Sequence, residues 1–147
     1  RTGLIAQTVS SLTAAELQKI DVGSWFKSNR SAKTFAGERL PLLEQVFPLF
    51  VQTSALLYIE MKCDATEGSK LAAEVVRLCR ASGMVDRVVV ESFDLTAVEE
   101  IKKCDPGIRT AALFEPSLRK PVSSLRRMNM IEAAMAVDAD EVAVTAS

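Results

Sequence analysis

Glu60 and Lys62 lie two residues apart in Leu56-Leu57-Tyr58-Ile59-Glu60-Met61-Lys62, a stretch with the apolar alternation of a strand. Side chains alternate along a strand, so Tyr58, Glu60 and Lys62 share one face and Leu57, Ile59 and Met61 the other. The apolar face suits packing on helices. The polar face brings an anion and a cation to the strand's C-terminal end, an arrangement suited to a metal ion and a phosphate held side by side. A Glu and a Lys at this spacing also form a plain surface ion pair, worth about 0 to 1 kcal/mol. Glu91, in Val88-Val89-Val90-Glu91-Ser92, sets a second carboxylate near the end of another apolar run.

The chain contains no histidine. Ser-His-Asp and Cys-His catalysis and His-ligated metals are therefore excluded within it, leaving carboxylates, Lys and Tyr as acids and bases. The three cysteines, Cys63, Cys79 and Cys104, are widely spaced with no C-x-x-C, which points to a reducing, cytoplasmic setting rather than a disulfide framework. Cys79 falls in a helical pattern and belongs to the core. Cys63, at the strand end, is expected to be partly exposed and is not read as a nucleophile.

Length and composition, 147 residues with 48% hydrophobic and 25% charged side chains, are those of an ordinary globular domain or part of a larger one. A formal net charge of −1 and the lack of a broad basic stripe argue against nucleic acid, the cluster Arg119, Lys120, Arg126 and Arg127 being local. No apolar run is long enough to span a membrane. Arg1-Thr2-Gly3 carries no signal-peptide pattern and does not begin with Met.

The elements that must position Glu60 and Lys62 follow from periodicity. Thr13-Ala14-Ala15-Glu16 is a capping box for a short helix ending before Gly23. Residues 23 to 38 read as a loop. Pro41 is expected in the first turn of a helix with Leu43, Val46, Phe47 and Phe50 on its buried side, which Pro48 kinks or shortens. A strand over 56 to 62 is followed by a helix with Leu71, Val75, Leu78 and Cys79 at helical spacing and Gly83 as its C-cap. Strands are predicted over 87–92, 109–114 and 141–145. Between them lie a helix capped by Asp94 and stopped at Pro106-Gly107, and another over about 122–136. Alternating helix and strand is the pattern of βαβ units with a parallel sheet, either a small open sheet or part of a (β/α)8 barrel. Either way chemistry belongs at the C-terminal strand ends, where Glu60, Lys62, Glu91, Phe93 and Glu115 lie.

Three stretches resemble the glycerophosphodiester phosphodiesterase family. The first runs from Leu12-Thr13 to Leu17, through Asp21-Val22-Gly23-Ser24-Trp25-Phe26, to Gly37-Glu38-Arg39-Leu40-Pro41-Leu42-Leu43-Glu44. The second is Tyr58-Ile59-Glu60-Met61-Lys62, similar to the family's E-x-K strand. The third is Val88-Val89-Val90-Glu91-Ser92-Phe93-Asp94, similar to its S-F strand end. The resemblance covers nearly the whole chain and implies an α/β fold in which residues 1–147 form strands three to six of a (β/α)8 TIM-type barrel. It implies Glu60 as a ligand of a divalent metal, Mg2+ or Ca2+, and Lys62 beside the substrate phosphate. Glu91 is a weaker candidate for substrate binding, because many members carry Ser or Gln there. Trp25 and Phe93 are read as packing residues near the mouth.

The family's His-Arg-Gly, Glu-x-Asp and His-Asp segments and its Trp-Thr-Val-Asn segment have no counterpart in these residues. The resemblance therefore implies no catalytic residue within this chain, and no activity from the 147 residues alone. It further implies a small-molecule phosphodiester substrate, cleaved to glycerol 3-phosphate and an alcohol. Open sheet edges make a homo-oligomer an expectation. Two other readings stay open: a non-catalytic structural or interaction module that keeps the fold, and an unrelated small α/β binding protein in which Glu60 and Lys62 are a surface ion pair.

Overall fold

A computed structural model describes residues 8–26, 35–63, 66–115 and 124–144. The chain divides into two compact units, Arg1–Leu49 and Phe50–Ser147.

In the first unit, α1 (Ala14–Leu17) begins with the predicted capping box: Thr13 Oγ1 accepts from the Glu16 amide, and the Glu16 carboxylate accepts from the Thr13 amide at 2.8 Å. The loop after it is organised by Asp21. Its carboxylate accepts from the amides of Gly23, Ser24 and Gly37 and from the Ser24 hydroxyl, all within 2.7–2.9 Å. These donors hold its pKa far below the ordinary carboxylate range, the Ser24 amide contributing most. Gly23 has no room for a side chain, since a Cβ there would collide with the Phe35 carbonyl. Trp25, Phe26 and Phe35 stack edge to face and stay largely exposed. Helix α2 (Leu43–Val46) differs from expectation at its start. Leu42, extended at φ −76° and ψ 152°, is the N-cap, so Pro41 lies outside the first turn. Pro48 then shortens the helix, and the chain passes into a 3-10 turn at Phe47–Leu49 with Phe47 buried.

The second unit is a run of βα units: β1 (Leu57–Glu60), α3 (Gly68–Ser82), β2 (Val88–Ser92), α4 (Leu95–Cys104), β3 (Arg109–Phe114), α5 (Ser124–Ala136) and β4 (Glu141–Val144). The strands form one parallel sheet in the order β1-β2-β3-β4. Strand β2 has Val88, Val89 and Val90 fully buried, as a central parallel strand should. Helices α3 and α4 pack together and α4 lies on β2 and β3, giving a core of Ala72, Val75, Val76, Cys79, Ala97, Val98, Ile101 and Ile108. Gly83, at φ +67°, ends α3 with its amide on the Arg80 and Cys79 carbonyls. Asp94 caps α4 through the Thr96 amide at 3.0 Å. Lys103 pairs with Glu99 and Glu100 one turn back.

The paired residues place Glu60, Glu91, Ala111 and Glu141 on one row across the four strands, all on the same face. Tyr58, two residues before Glu60, reaches across that face and donates to Glu141 Oε2 at 3.0 Å, linking β1 to β4.

Candidate functional site

Strand β1 is shorter than predicted, ending at Glu60 rather than Lys62. The alternation nonetheless holds: Leu57 and Ile59 are half-buried and Met61 buried, while Tyr58, Glu60 and Lys62 face outward. Lys62 Nζ meets Glu60 Oε1 at 2.6 Å. The pair opens on a cleft of about 530 Å3, one wall of which is the end of β1, Glu60 to Cys63. The turn from β2 into α4, Ser92-Phe93-Asp94, and Glu67 at the start of α3 line it as well. The N-terminal ends of α3 and α4 thus both border the cleft, where their dipoles favour an anion.

Past Glu60 the strand is held by two bonds to β2. The Met61 amide donates to the Glu91 carbonyl at 2.7 Å, and the Ser92 hydroxyl donates to the Met61 carbonyl at 2.8 Å. The Ser92 oxygen also accepts from the Asp94 amide at 3.1 Å. Glu91 pairs with Glu60 across the strands but does not line the cleft. Burial first, then the Glu60 and Glu141 carboxylates, raise the Glu91 pKa, against a smaller opposing pull from Lys62. Phe93 is exposed and lines the cleft, whereas Trp25 belongs to the first unit. Cys79 is fully buried, and its thiol is pushed up to about 11, chiefly by burial. Of the predicted basic cluster, Arg119 and Lys120 lie outside the described residues, and Arg126 donates to the Glu115 carbonyl at the end of β3.

Among the described residues no group of three or more Cys, Asp or Glu side chains is placed to hold a metal ion. A Mg2+ or Ca2+ ion takes about six or more oxygen ligands. Glu60 offers one carboxylate, already engaged by Lys62, so the described residues do not by themselves fit a divalent ion.

The residues that sequence reasoning passed over are Ser92, Glu67 and Asp94 as parts of the cleft. Ser92 carried a readable signal, because a hydroxyl closing an otherwise apolar buried strand needs partners.

The site and fold define a class: parallel βα units of a (β/α)8 barrel, with an anion-cation pair at a C-terminal strand end. The particular family follows from comparison. The profile of the Glycerophosphoryl diester phosphodiesterase family matches residues 1–144, and the chain belongs to that family. It is 28% identical over 120 residues to a glycerophosphodiester phosphodiesterase of Caldanaerobacter subterraneus subsp. tengcongensis, covering 82% of this chain and 47% of that protein. It is 32% identical over 109 residues to YhdW of Bacillus subtilis, covering 74% of this chain and 42% of that protein. The chain thus spans a little under half the length of these relatives. In structure it matches a Silicibacter pomeroyi protein, assigned as a glycerophosphoryl diester phosphodiesterase, with a TM-score of 0.73 at 20% identity. That match covers 94% of this chain and 51% of the other, and it establishes the barrel fold.

Proposed function

We propose that these residues belong to a metal-dependent phosphodiesterase that hydrolyses glycerophosphodiesters to glycerol 3-phosphate and an alcohol. The observation that carries this reading is the Glu60–Lys62 pair at the mouth of a cleft bordered by two helix N-termini, in a chain of this family. A phosphodiester is anionic and resists attack. Lys62, on an exposed stem, binds a non-bridging phosphate oxygen and offsets the charge that gathers there as the P–O bond to the alcohol gives way to one from water. The starts of α3 and α4 add partial positive charge on the same side. If the rest of the protein completes a site for Mg2+ or Ca2+, Glu60 would supply one of its ligands, and the ion would polarise the phosphoryl oxygens. The other metal ligands and the acid and base lie outside residues 1–147. These residues alone therefore bind metal weakly and turn over no substrate. The enzyme works on a small molecule in the cytoplasm, where cysteine thiols stay reduced.

The test is release of glycerol 3-phosphate from glycerophosphocholine by the full chain with Mg2+ or Ca2+. We expect release that stops on chelation and falls steeply, to a residual rate, on Lys62→Met. No release with either ion, or release indifferent to Lys62→Met, overturns the reading.

One observation favours a second reading, a non-catalytic module that keeps the fold. Glu60 and Lys62 satisfy each other at 2.6 Å, so no ligand is needed to hold them. A full chain that folds but neither binds metal nor turns over a phosphodiester supports that reading.

A further inference from the structure

The end of β1 is shaped by a side chain that neither charge nor metal chemistry explains. The last register pair of β1 and β2 is Glu60–Glu91, and the Met61 amide still donates to the Glu91 carbonyl at 2.7 Å. In a parallel ladder continued one step further, the Met61 carbonyl would accept from the amide of residue 93. Here the chain leaves β2 at that point to enter α4, and the Ser92 hydroxyl donates to Met61 O instead, at 2.8 Å. Ser92 Oγ in turn accepts from the amide of Asp94, the N-cap of α4, at 3.1 Å. Ser92 is 2% exposed; its bond to the Met61 carbonyl is buried and its bond from the Asp94 amide part-buried. Its only proton is committed to Met61 O, and no histidine exists in the chain to withdraw it. Met61 is the residue between Glu60 and Lys62, so whatever holds its carbonyl sets the direction in which the backbone leaves the strand at Lys62.

We propose that Ser92 is a positioning residue for Lys62: by pinning the Met61 carbonyl to the start of α4, it fixes where the Lys62 ammonium stands over the cleft. The role is exerted through Lys62 and rests on the reading of Lys62 as the phosphate-binding residue. Without the hydroxyl, the buried Met61 carbonyl and the part-buried Asp94 amide lose their partner, and the turn carrying Lys62 relaxes. Partners that orient a binding group from behind typically cost about 10- to 100-fold when removed.

The test is a double-mutant cycle on the full chain, reading kcat and KM for glycerophosphocholine hydrolysis. Ser92→Ala is expected to lower kcat/KM by about 10- to 100-fold when Lys62 is present, and by less than about threefold in a Lys62→Met background. Ser92→Thr, which keeps the hydroxyl, is expected to restore most of the loss. Equal losses in both backgrounds would mean a purely structural serine and overturn the proposal. If Ser92→Ala does not fold, Ser92→Cys, a weaker donor of similar size, takes its place in the cycle. If the wild type hydrolyses nothing, the phosphodiesterase reading fails, and the same cycle is read on inorganic phosphate binding by calorimetry. Coupled losses there retain the pin, whereas additive losses, or no phosphate binding by the wild type, remove it.

Discussion

At the residue scale, Lys62 and Cys79 are opposites. Lys62 has 77% of its side chain exposed, so its pair with Glu60 is screened by water and contributes little to folding. Lys62→Met is therefore expected to change unfolding free energy by no more than about 1 kcal/mol. If Lys62 is a binding residue, the same substitution removes phosphate-ester affinity. Chemical denaturation and calorimetry on one variant separate these effects; unchanged affinity would leave the pair as surface decoration. Cys79 sits in the core between α3 and its neighbours, with burial raising its thiol to about 11. Cys104, at the end of α4, is exposed. A thiol reagent at pH 8 should modify Cys104 in the native protein and Cys79 only after denaturant is added, as mass mapping of the labelled peptides can check. Native labelling of Cys79 would mean that the α3–α4 core opens readily. The Glu60–Lys62 pair was readable from its spacing, because residues two apart on a strand share a face. Ser92 acts through two backbone groups on different elements, and single-strand spacing does not display that. The Tyr58–Glu141 bond was hidden for a similar reason, joining residues 83 apart that meet only when four strands align.

At the element scale, periodicity foretold which segments form helices and strands, while local chemistry decided where they end. Helix α3 stops at Gly83 and α4 starts at Asp94 as their cap residues imply. Strand β1 stops two residues early because, past the Met61 amide's bond to the Glu91 carbonyl, the Ser92 side chain and not a backbone amide donates to the Met61 carbonyl. Helix α2 starts after Pro41 because extended Leu42 is its N-cap. The junction of α4, β3 and β4 depends on Asp140, whose carboxylate meets Lys102 Nζ and the Thr110 amide, each at 2.7 Å. Burial pushes the Asp140 pKa up, but the Lys102 ammonium and the Thr110 donors outweigh it and the net direction is down. An acid whose folded pKa is depressed adds stability above its unfolded value, near 3.9, and loses it as pH falls through the folded value. Asp140→Asn should thus cost stability at pH 7, by no more than about 1 kcal/mol, because the Asp140 carboxylate is 40% exposed and water screens its pair with Lys102. The gap to wild type should narrow below about pH 4. Denaturant melts of both proteins at pH 7 and pH 3 provide the check; a pH-independent gap would place the effect in packing instead.

At the scale of the whole molecule, the decisive fact is that the sheet does not close among the described residues. Strands β1 and β4 each have one partner there, so each presents an edge of backbone donors and acceptors. Val142 and Val144, two apart on one face of β4, are 41% and 47% exposed, and Met128, Ile131 and Met135 on α5 are exposed as well. Apolar side chains beside an open edge are the combination that recruits another strand. In a closed barrel, layers of interior side chains come from alternate strands all the way round, and four strands supply only part of each layer. The row Glu60, Glu91, Ala111, Glu141 instead follows the register across adjacent strands, three carboxylates on one face with the Glu91 proton held more tightly than usual. A polypeptide of these 147 residues is therefore expected to associate with copies of itself. Light scattering after size exclusion should give a mass above 16.0 kDa that rises with concentration. Val144→Lys, which puts a charge beside the β4 edge, should shift the population toward the single chain while leaving the helical signal intact. A concentration-independent 16.0 kDa species with one cooperative melt would show instead that the sheet tolerates its open edges, and the apolar surface of β4 and α5 would then need no occupant.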